Sequence, residues 1–464
     1  MPHLLSFSVL LLVLLATGSV AIVLDVDDRQ SILAASALAA HGLQQLYNGN
    51  RTGGVLGKFP YLPYYWWESG GAWGGMMEYW HYTGDESYRN VTRQALISQL
   101  GPVYDFNVPT EAFDEGNDDQ AFWVFAAMSA AEYSFPAPPV PIPSWLTMVE
   151  NAWQDYVSRW NTTRCNGGLK WQFHPENAGF YYKNSISNGA FFQLSARLAR
   201  LTGNNTYVHW ANTIWNWSSG VGLIDKLCNV YDGCDELINC TGIDHHQWSY
   251  NVGVYLYGAA VLQNYTNGSS LWVERTAGLL SATNTFLSPF RNATNIMFEA
   301  ACELGMTCDT DQLSMKAYLI RWLAGTSTMA PFTTGRIGTI LRASAKAAAG
   351  SCTGGPANNT CGSKWYIGGW DGTSGLGQQL CAMEAMYALL VNQTTPPITS
   401  HNVVIQPESP SQAFNFTKAS ATARPLHDSK GSSIARPQNK VRSAITILFT
   451  SMAVMHEEFW NGHI

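Results

Sequence analysis

The spacing of apolar positions predicts a chain built mainly of helices. From Asp27 to Tyr47, apolar residues return at the interval of one helical turn, and the acidic start of this stretch suits the positive end of a helix dipole. The same period occurs over residues 145–160, 190–201 and 313–323. Strand-like alternation of apolar and polar residues is rare. We therefore predict an all-α protein.

Short turn sequences separate the helical patterns at a loose interval. Each combines glycine with polar residues, and the three examples are Thr83-Gly84-Asp85, Thr202-Gly203-Asn204 and Thr266-Asn267-Gly268. Their spacing corresponds to two units and then one unit of about 60 residues, the length of a helix pair with its loops. Six such pairs would fill the chain before its low-complexity end. This is the size of an (α/α)6 barrel, in which two rings of helices are concentric.

The two ends of the chain differ in composition from the part between them. An apolar stretch ending in small residues predicts a cleaved signal peptide over residues 1–21, with an uncleaved signal anchor as the alternative. Residues 394–440 are rich in Ser, Thr and Pro, as in a stalk. Residues 441–464 resemble a GPI-attachment signal, although their charged end departs from that pattern and a frayed terminus is the alternative. We expect one large domain at residues 22–393.

Sequons and cysteines indicate a secreted protein. The chain has twelve Asn-x-Ser/Thr sequons and nine cysteines. Pairs such as Cys302 with Cys308 and Cys352 with Cys361 would close local loops, while one cysteine stays unpaired or pairs with another chain. Neither Cys-x-x-Cys nor His-x-x-x-His spacing occurs. We therefore expect no metal site and no cofactor.

Charge and aromatic content indicate which class of ligand the protein binds. A net charge of -7, only 13% charged residues and no basic cluster argue against nucleic acid. The 18 Trp and 21 Tyr suit the binding of sugars, whose C–H faces pack on aromatic rings, although a large core would also use them. We expect a monomer that meets a membrane only through the GPI anchor.

Two adjacent carboxyl groups carry the strongest chemical signal. Asp118 and Asp119 follow Gly116-Asn117 at the start of an apolar helical run. Free N–H groups at a helix start can hold one carboxylate ionised, and that charge makes the neighbouring carboxyl keep its proton. Retaining glycosidases need two carboxyl groups about 5 to 5.5 Å apart, which adjacent residues can satisfy. The alternative is that both acids only cap the helix.

An aromatic and glycine cluster at residues 64–75 is the second candidate. Its glycines would leave the faces of Trp66 and Trp67 open to a ligand, and Glu68 would accept hydrogen bonds from hydroxyl groups. A tight loop before a helix, with tryptophans in the core, is the equal alternative.

Two further segments carry polar groups suited to sugars. Residues 243–251 offer several partners for hydroxyl groups, among them Asp244, Tyr250 and Asn251. Residues 368–379, which include Trp370, are rich in glycine but lack the lysine of a phosphate loop, and they predict a rim loop that opens the last helix.

Together these segments resemble glycoside hydrolase family 76, the endo-α-1,6-mannanases, and especially its fungal cell-wall branch. The matching stretches are residues 24–28, 66–70, 116–120, 248–251, 311–316, 370–372 and 377–379. The resemblance implies an (α/α)6 barrel and a retaining mechanism, with Asp118 as the nucleophile and Asp119 as the general acid/base. It also implies a set of residues lining the cleft: Trp66, Trp67, Asn117, Gln120, Asp244, Tyr250 and Asn251.

The function expected from this resemblance is a retaining, endo-acting α-1,6-mannosidase of the cell wall, located there or at the outer face of the plasma membrane. Its substrate would be α-mannan or the GPI-core glycan. One alternative is a transglycosylase that passes the sugar to a β-glucan acceptor through the same covalent intermediate. The others are a mannose-binding wall protein without catalysis and an inverting, calcium-dependent α-mannosidase on the same type of barrel.

Overall fold

The computed structural model describes residues 22–113 and 115–399. The predicted signal peptide, nearly all of the predicted stalk and the C-terminal tail lie outside the described residues. Within the described ranges the chain forms twelve α-helices: α1 Arg29–Leu46, α2 Trp66–Thr83, α3 Arg89–Ser98, α4 Asn117–Glu132, α5 Trp145–Arg159, α6 Ser185–Thr202, α7 Asn205–Val221, α8 Ser249–Tyr265, α9 Ser270–Ala282, α10 Met315–Met329, α11 Thr334–Ser351 and α12 Leu376–Tyr387.

Short elements connect these helices. A small antiparallel sheet has the order β1-β2-β3, with strands β1 Tyr182–Asn184, β2 Gly233–Asp235 and β3 Ile243–Asp244. Six 3-10 helices occupy other connections: Glu236–Ile238, Thr283–Phe286, Gln312–Ser314, Pro331–Thr333, Trp365–Ile367 and Ala388–Gln393.

The even-numbered helices form a closed inner ring. Each packs against the next in the order α2, α4, α6, α8, α10 and α12, and α12 closes the ring on α2. The odd-numbered helices pack outside, for example α1 on α12, α5 on α4 and α7 on α6. This arrangement is the (α/α)6 barrel that the sequence predicts.

The apolar pattern decides which ring a helix joins. In α5 the buried residues follow one stripe, Trp145, Met148, Val149, Ala152, Trp153 and Tyr156, as in a helix with one face to solvent. In α4 nearly every residue is buried, Asp119 and Ala131 being the exceptions. A helix that is apolar on all sides gains most when other helices surround it, so α4 lies in the inner ring.

The predicted turns coincide with the ends of inner helices. Gly84 and Gly203 end α2 and α6 with φ of 74° each, and Gly268 follows α8 with φ of 86°. Glycine adopts this left-handed conformation without the steric cost that a Cβ brings. The loose repeat in the sequence therefore marks the inner ring.

The aromatic and glycine cluster is helical, which corrects the expectation of a loop. α2 begins at Trp66, and four glycines lie inside it at positions 70, 71, 74 and 75. A Cβ on Gly70 would come within 2.8 Å of the Trp123 ring on α4. These glycines let neighbouring inner helices approach closely.

The disulfides agree with the predicted local pairs and add a long-range one. Cys302–Cys308 and Cys352–Cys361 form as predicted, and Cys165–Cys240 joins residues 75 positions apart. All nine cysteines lie in the described part of the chain, and three of them, Cys228, Cys234 and Cys381, are free. The expectation of a single unpaired cysteine is therefore wrong, since spacing does not reveal which thiols the fold keeps apart.

The packed part of the chain continues past residue 393. The Ile398 N–H donates to the Glu132 carbonyl at 2.9 Å, and Arg200 donates to the carbonyls of Pro397 and Ile398. The start of the predicted stalk therefore belongs to the barrel. No helix in residues 22–113 and 115–399 is long and apolar enough to cross a membrane.

Candidate active site

A cavity of about 580 Å³ opens at the end of the barrel where the inner helices begin. Its wall includes residues at the first turns of α2, α4, α8 and α10, together with Asn184 immediately before α6. Helix N-termini carry partial positive charge and free N–H groups, which stabilise negative charge nearby. The N-termini of several inner helices therefore border one polar cavity.

Asp118 and Asp119 lie in this wall, on the first turn of α4. The Asn184 side-chain amide donates to Asp118 Oδ2 at 3.0 Å, and the Asp119 backbone N–H donates to Asp118 Oδ1 at 3.1 Å. The Gly116 N–H donates to Asp119 Oδ2 at 2.7 Å. Both carboxyl groups are therefore held by hydrogen bonds, and Asp118 is buried with 8% of its surface exposed.

The two carboxyl groups share one small region of space. Asp118 Oδ1 and Asp119 Oδ2 each lie 2.8 Å from the position that a Cβ on Gly116 would occupy. The two oxygens are therefore at most twice that distance apart, which is closer than the separation of about 6.5 to 9.5 Å that inverting glycosidases need and favours a retaining pair. Any side chain at position 116 would displace them, so glycine is required there.

The surroundings give the two carboxyl groups different pKa values. Burial raises the pKa of Asp118 to about 6, and the hydrogen bond from Asn184 opposes that rise. Burial and the negative charge of Asp118 together raise the pKa of Asp119 well above its usual range. Asp118 therefore ionises first and Asp119 keeps its proton.

Three more aspartates line the cavity. Asp232 accepts hydrogen bonds from the Tyr182 hydroxyl at 2.8 Å and the Asn251 amide at 3.3 Å. Asp309 and Asp311 stand on the loop before α10. Burial, and to a smaller extent the charge of Asp309, raise the pKa of Asp311 to about 7. Among the described residues that line the cavity there is no lysine or arginine, so these carboxyl groups are available to sugar hydroxyls.

Aromatic rings form much of the remaining wall. They are Tyr65, Trp67, Phe113, Phe122, Trp171, Tyr182, Trp248 and Tyr250. Rings of this kind pack against the C–H faces of sugars, while the aspartates and Asn184 can bind hydroxyl groups. The cavity thus combines the two kinds of contact that a carbohydrate needs.

Four residues expected in the site lie in the wall of the cavity: Asp118, Asp119, Trp67 and Tyr250. Trp66 does not, although it adjoins Trp67. Its ring stacks on Trp123 in the core at 5.3 Å, and its indole N–H donates to Gln99. Consecutive residues of a helix face different directions, so only one of the two tryptophans can reach the cavity.

Four other expected residues lie behind the wall. Glu68 is 1% exposed and accepts from the Tyr65 N–H at 2.8 Å, and burial raises its pKa to about 9. Asn117 and Gln120 both accept from Arg159 and fix the start of α4 from the side away from the cavity. Asn251 is buried and donates to Asp232. The sequence predicts these four residues in the cavity wall. Each lies behind it and holds a helix or a side chain of the site in position.

The last two expected residues are outside the cavity. Asp244 is exposed at the end of β3, where it binds His246 at 2.6 Å. Trp370 is part of the rim loop before α12, and its indole N–H donates to the Thr373 carbonyl at 2.6 Å. The predicted loop is present, and α12 begins directly after it at Leu376.

Sequence reasoning missed Asn184, Tyr182 and Asp232 as site residues. Asn184 lies 66 positions from Asp118 in the chain, yet it holds the carboxylate directly. It also caps α6 by accepting from the Ser187 N–H, and that capping pattern was the only local signal. Asp311 belongs to a motif that supported the resemblance, but nothing local linked it to the cavity.

The comparison with known proteins agrees with this architecture. The model of glycosyl hydrolase family 76 matches residues 31–401. Mannan endo-1,6-alpha-mannosidase DCW1 of Candida glabrata is 44% identical over 399 residues, covering 84% of this chain and 88% of that protein. The protein of the same name from Saccharomyces cerevisiae is 44% identical over 384 residues, covering 82% and 84%.

A solved structure supports the same relationship. Dfg5 from Chaetomium thermophilum, crystallised in complex with glucosamine, is 40% identical to this chain. The two superpose with a TM-score of 0.78, covering 82% of this chain and 94% of that one.

Proposed function

The chain belongs to glycosyl hydrolase family 76, and we propose that it is an endo-acting α-1,6-mannosidase that retains the anomeric configuration through Asp118 and Asp119. The observation that carries this proposal is the pair itself, two carboxyl groups bordering one point and differing in pKa. The named relatives are mannan endo-1,6-alpha-mannosidases, which suggests α-1,6-mannan as the substrate.

In the first step, ionised Asp118 attacks the anomeric carbon of the mannosyl unit in the cavity. The glycosidic C–O bond breaks, and Asp119 transfers its proton to the departing oxygen. A covalent mannosyl ester on Asp118 remains, and the other part of the mannan chain leaves with a free hydroxyl. The hydrogen bonds from Asn184 and the Asp119 N–H hold the attacking carboxylate in place.

In the second step, Asp119 acts as a base. Loss of its proton makes it a carboxylate, and the ester has removed the charge of Asp118 that had opposed ionisation. Asp119 takes a proton from water, whose oxygen attacks the anomeric carbon, and the ester bond to Asp118 breaks. Two inversions at one carbon leave the product with the α configuration of the substrate.

Features of the chain support an extracellular place of action. The predicted signal peptide, the sequons and three disulfides suit an extracellular protein. The sequence resembles the cell-wall branch of the family, and we infer that the enzyme works in the wall or at the cell surface.

The test is digestion of reduced α-1,6-mannan oligosaccharides by the secreted protein, followed by mass spectrometry and by ¹H NMR of the first product formed. We expect internal cleavage and an α-anomer before mutarotation. An initial β-anomer would show inversion, and the absence of cleavage by well-folded protein would refute the assignment. Asp118→Asn, which keeps the shape of the side chain, is the control for contaminating activity.

A further inference from the structure

A group of exposed aromatic side chains stands beside the mouth of the cavity. Phe113 is 83% exposed, Tyr61 54% and Tyr65 42%. Phe113 and Tyr65 border the cavity, and the Tyr61 ring lies next to Tyr65 with 6.5 Å between centroids. We call Tyr61, Tyr65 and Phe113 the rim aromatics. Large apolar side chains that remain this exposed in a group commonly mark a binding surface.

The segments that carry these rings are tied down. The Tyr64 hydroxyl accepts from the Leu376 N–H at 3.1 Å, which joins the Tyr61 segment to the start of α12. Lys58 pairs with Glu111 at 2.8 Å, which joins the same segment to the one carrying Phe113. The Ala112 carbonyl in turn accepts from Asn177. The exposure of the rim aromatics is therefore a feature of a fixed surface.

The cavity is small compared with a polymeric substrate, which suggests a function for the rim aromatics. A volume of about 580 Å³ is in the range of a pocket for one small ligand. An enzyme that cuts within a polymer must let the chain continue past the sugars at the reacting bond. Polymer leaving the cavity on this side passes over the rim aromatics, whose faces suit the C–H surfaces of successive sugars.

We propose that the rim aromatics bind the mannan chain outside the cavity and so make the enzyme prefer long substrates. This inference rests on the proposed function, because it names the part of the same substrate that lies beyond the reacting sugars. Tyr61 is the most informative position, since it is exposed and is not part of the cavity wall. It should affect the capture of polymer and leave the chemical step unchanged.

The experiment compares kcat and KM on α-1,6-mannotetraose and on polymeric α-1,6-mannan. We expect Tyr61→Ala to raise KM for the polymer about tenfold, with kcat and the values for the tetraose nearly unchanged, because Tyr61 is not part of the cavity wall. Tyr61→Phe keeps the ring face and should restore polymer binding, whereas Tyr61→Leu keeps only apolar character and should not. Phe332→Ala is the matched control, because Phe332 is 53% exposed after the far end of α10.

Each other outcome has one meaning. Equal losses on both substrates, or no loss on either, would overturn the role of the rim aromatics while leaving the proposed function intact. A wild-type protein that cleaves neither substrate would refute the proposed function instead. Affinity electrophoresis of Asp118→Asn variants in gels containing mannan measures polymer binding without turnover, and unchanged mobility after the added Tyr61→Ala substitution would also overturn the inference.

Discussion

Buried carboxyl groups occur at two levels of this barrel, and their surroundings differ. At the cavity, Asp118, Asp119 and Asp311 are mostly buried and have hydrogen-bond donors but no cationic partner in the wall. Deeper in the inner ring, Glu132 binds Arg197 at 2.6 Å and Glu384 forms an ion pair with Arg321. We call these four residues the core ion pairs.

The difference shows how position decides what a buried carboxyl group does. The arginines of the core ion pairs offset the cost of burying the glutamates, and removing one partner would leave an uncompensated charge. The cavity aspartates have neutral hydrogen-bond donors and helix N-termini nearby instead of arginines, so their protonation responds to each other. Carboxyl groups without a nearby cation can gain and lose protons during a reaction. Carboxylates that pair with an arginine hold neighbouring helices together.

The largest effect is expected from removing the nucleophile. Asp118→Asn keeps the hydrogen-bonding shape but cannot form the ester, and kcat on mannan should fall by about 10⁴-fold or more. Thermal unfolding should occur at the same or a slightly higher temperature, because a buried charge is lost. Activity within a factor of ten of the wild type, measured after repurification, would exclude Asp118 as the nucleophile.

The loss of Asp119 should depend on the leaving group. Asp119→Asn should lower kcat/KM on mannan by about 10² to 10⁴-fold, because the departing oxygen receives no proton. An α-mannobioside with a dinitrophenolate leaving group needs no such proton, so formation of the mannosyl ester should be much less affected. Added azide should then accelerate turnover and yield an α-mannosyl azide. A uniform loss on both substrates would argue against the acid/base role.

Breaking a core ion pair should affect stability instead of chemistry. Arg321→Met leaves Glu384 buried without its partner, and we expect a loss of about 3 to 5 kcal/mol in the free energy of unfolding. The folded fraction should keep a normal kcat. Arg342→Met is the control, because it removes an exposed pair with Asp27, where the loss should stay below about 1 kcal/mol. Similar losses in both variants would contradict the distinction drawn here.

The pH dependence should report the cavity pair. Asp118 must be ionised, so kcat/KM should fall about tenfold per pH unit below about 6, and Asp119 must be protonated, so activity should also fall at higher pH. Asn184→Ala removes a donor that favours ionised Asp118 and should move the acidic limb to higher pH. An acidic limb of the pH profile that stays at the same pH or moves to lower pH would show that Asn184 does not lower the pKa of Asp118.

Much of the scaffold could be predicted from the sequence, because it depends on local physics. The helical period and the glycine-containing turns that end α2 and α6 act through neighbouring residues, and the structure confirms them. The placement of Asp118 and Asp119 at the start of a helix is of the same kind. Such features need no knowledge of distant parts of the chain.

The details of the site required the tertiary structure. Trp66 and Trp67 are alike in sequence, and only the packing of α2 on α4 sends one ring to the core and the other to the cavity. Asn184 and Asp232 reach the cavity because separate parts of the ring converge there. Cys165 finds Cys240 for the same reason, while Cys234 stays free.

The sequence by itself thus determined the helices, the repeat, the family resemblance and the adjacent aspartates, since each is encoded within a few neighbouring residues. Tertiary structure decided the cavity wall, the donors that hold Asp118, the difference in pKa within the pair and the carboxyl groups that receive arginine partners. The physical reason is that burial and contact across the ring depend on residues far apart in the chain, and no local pattern reports them.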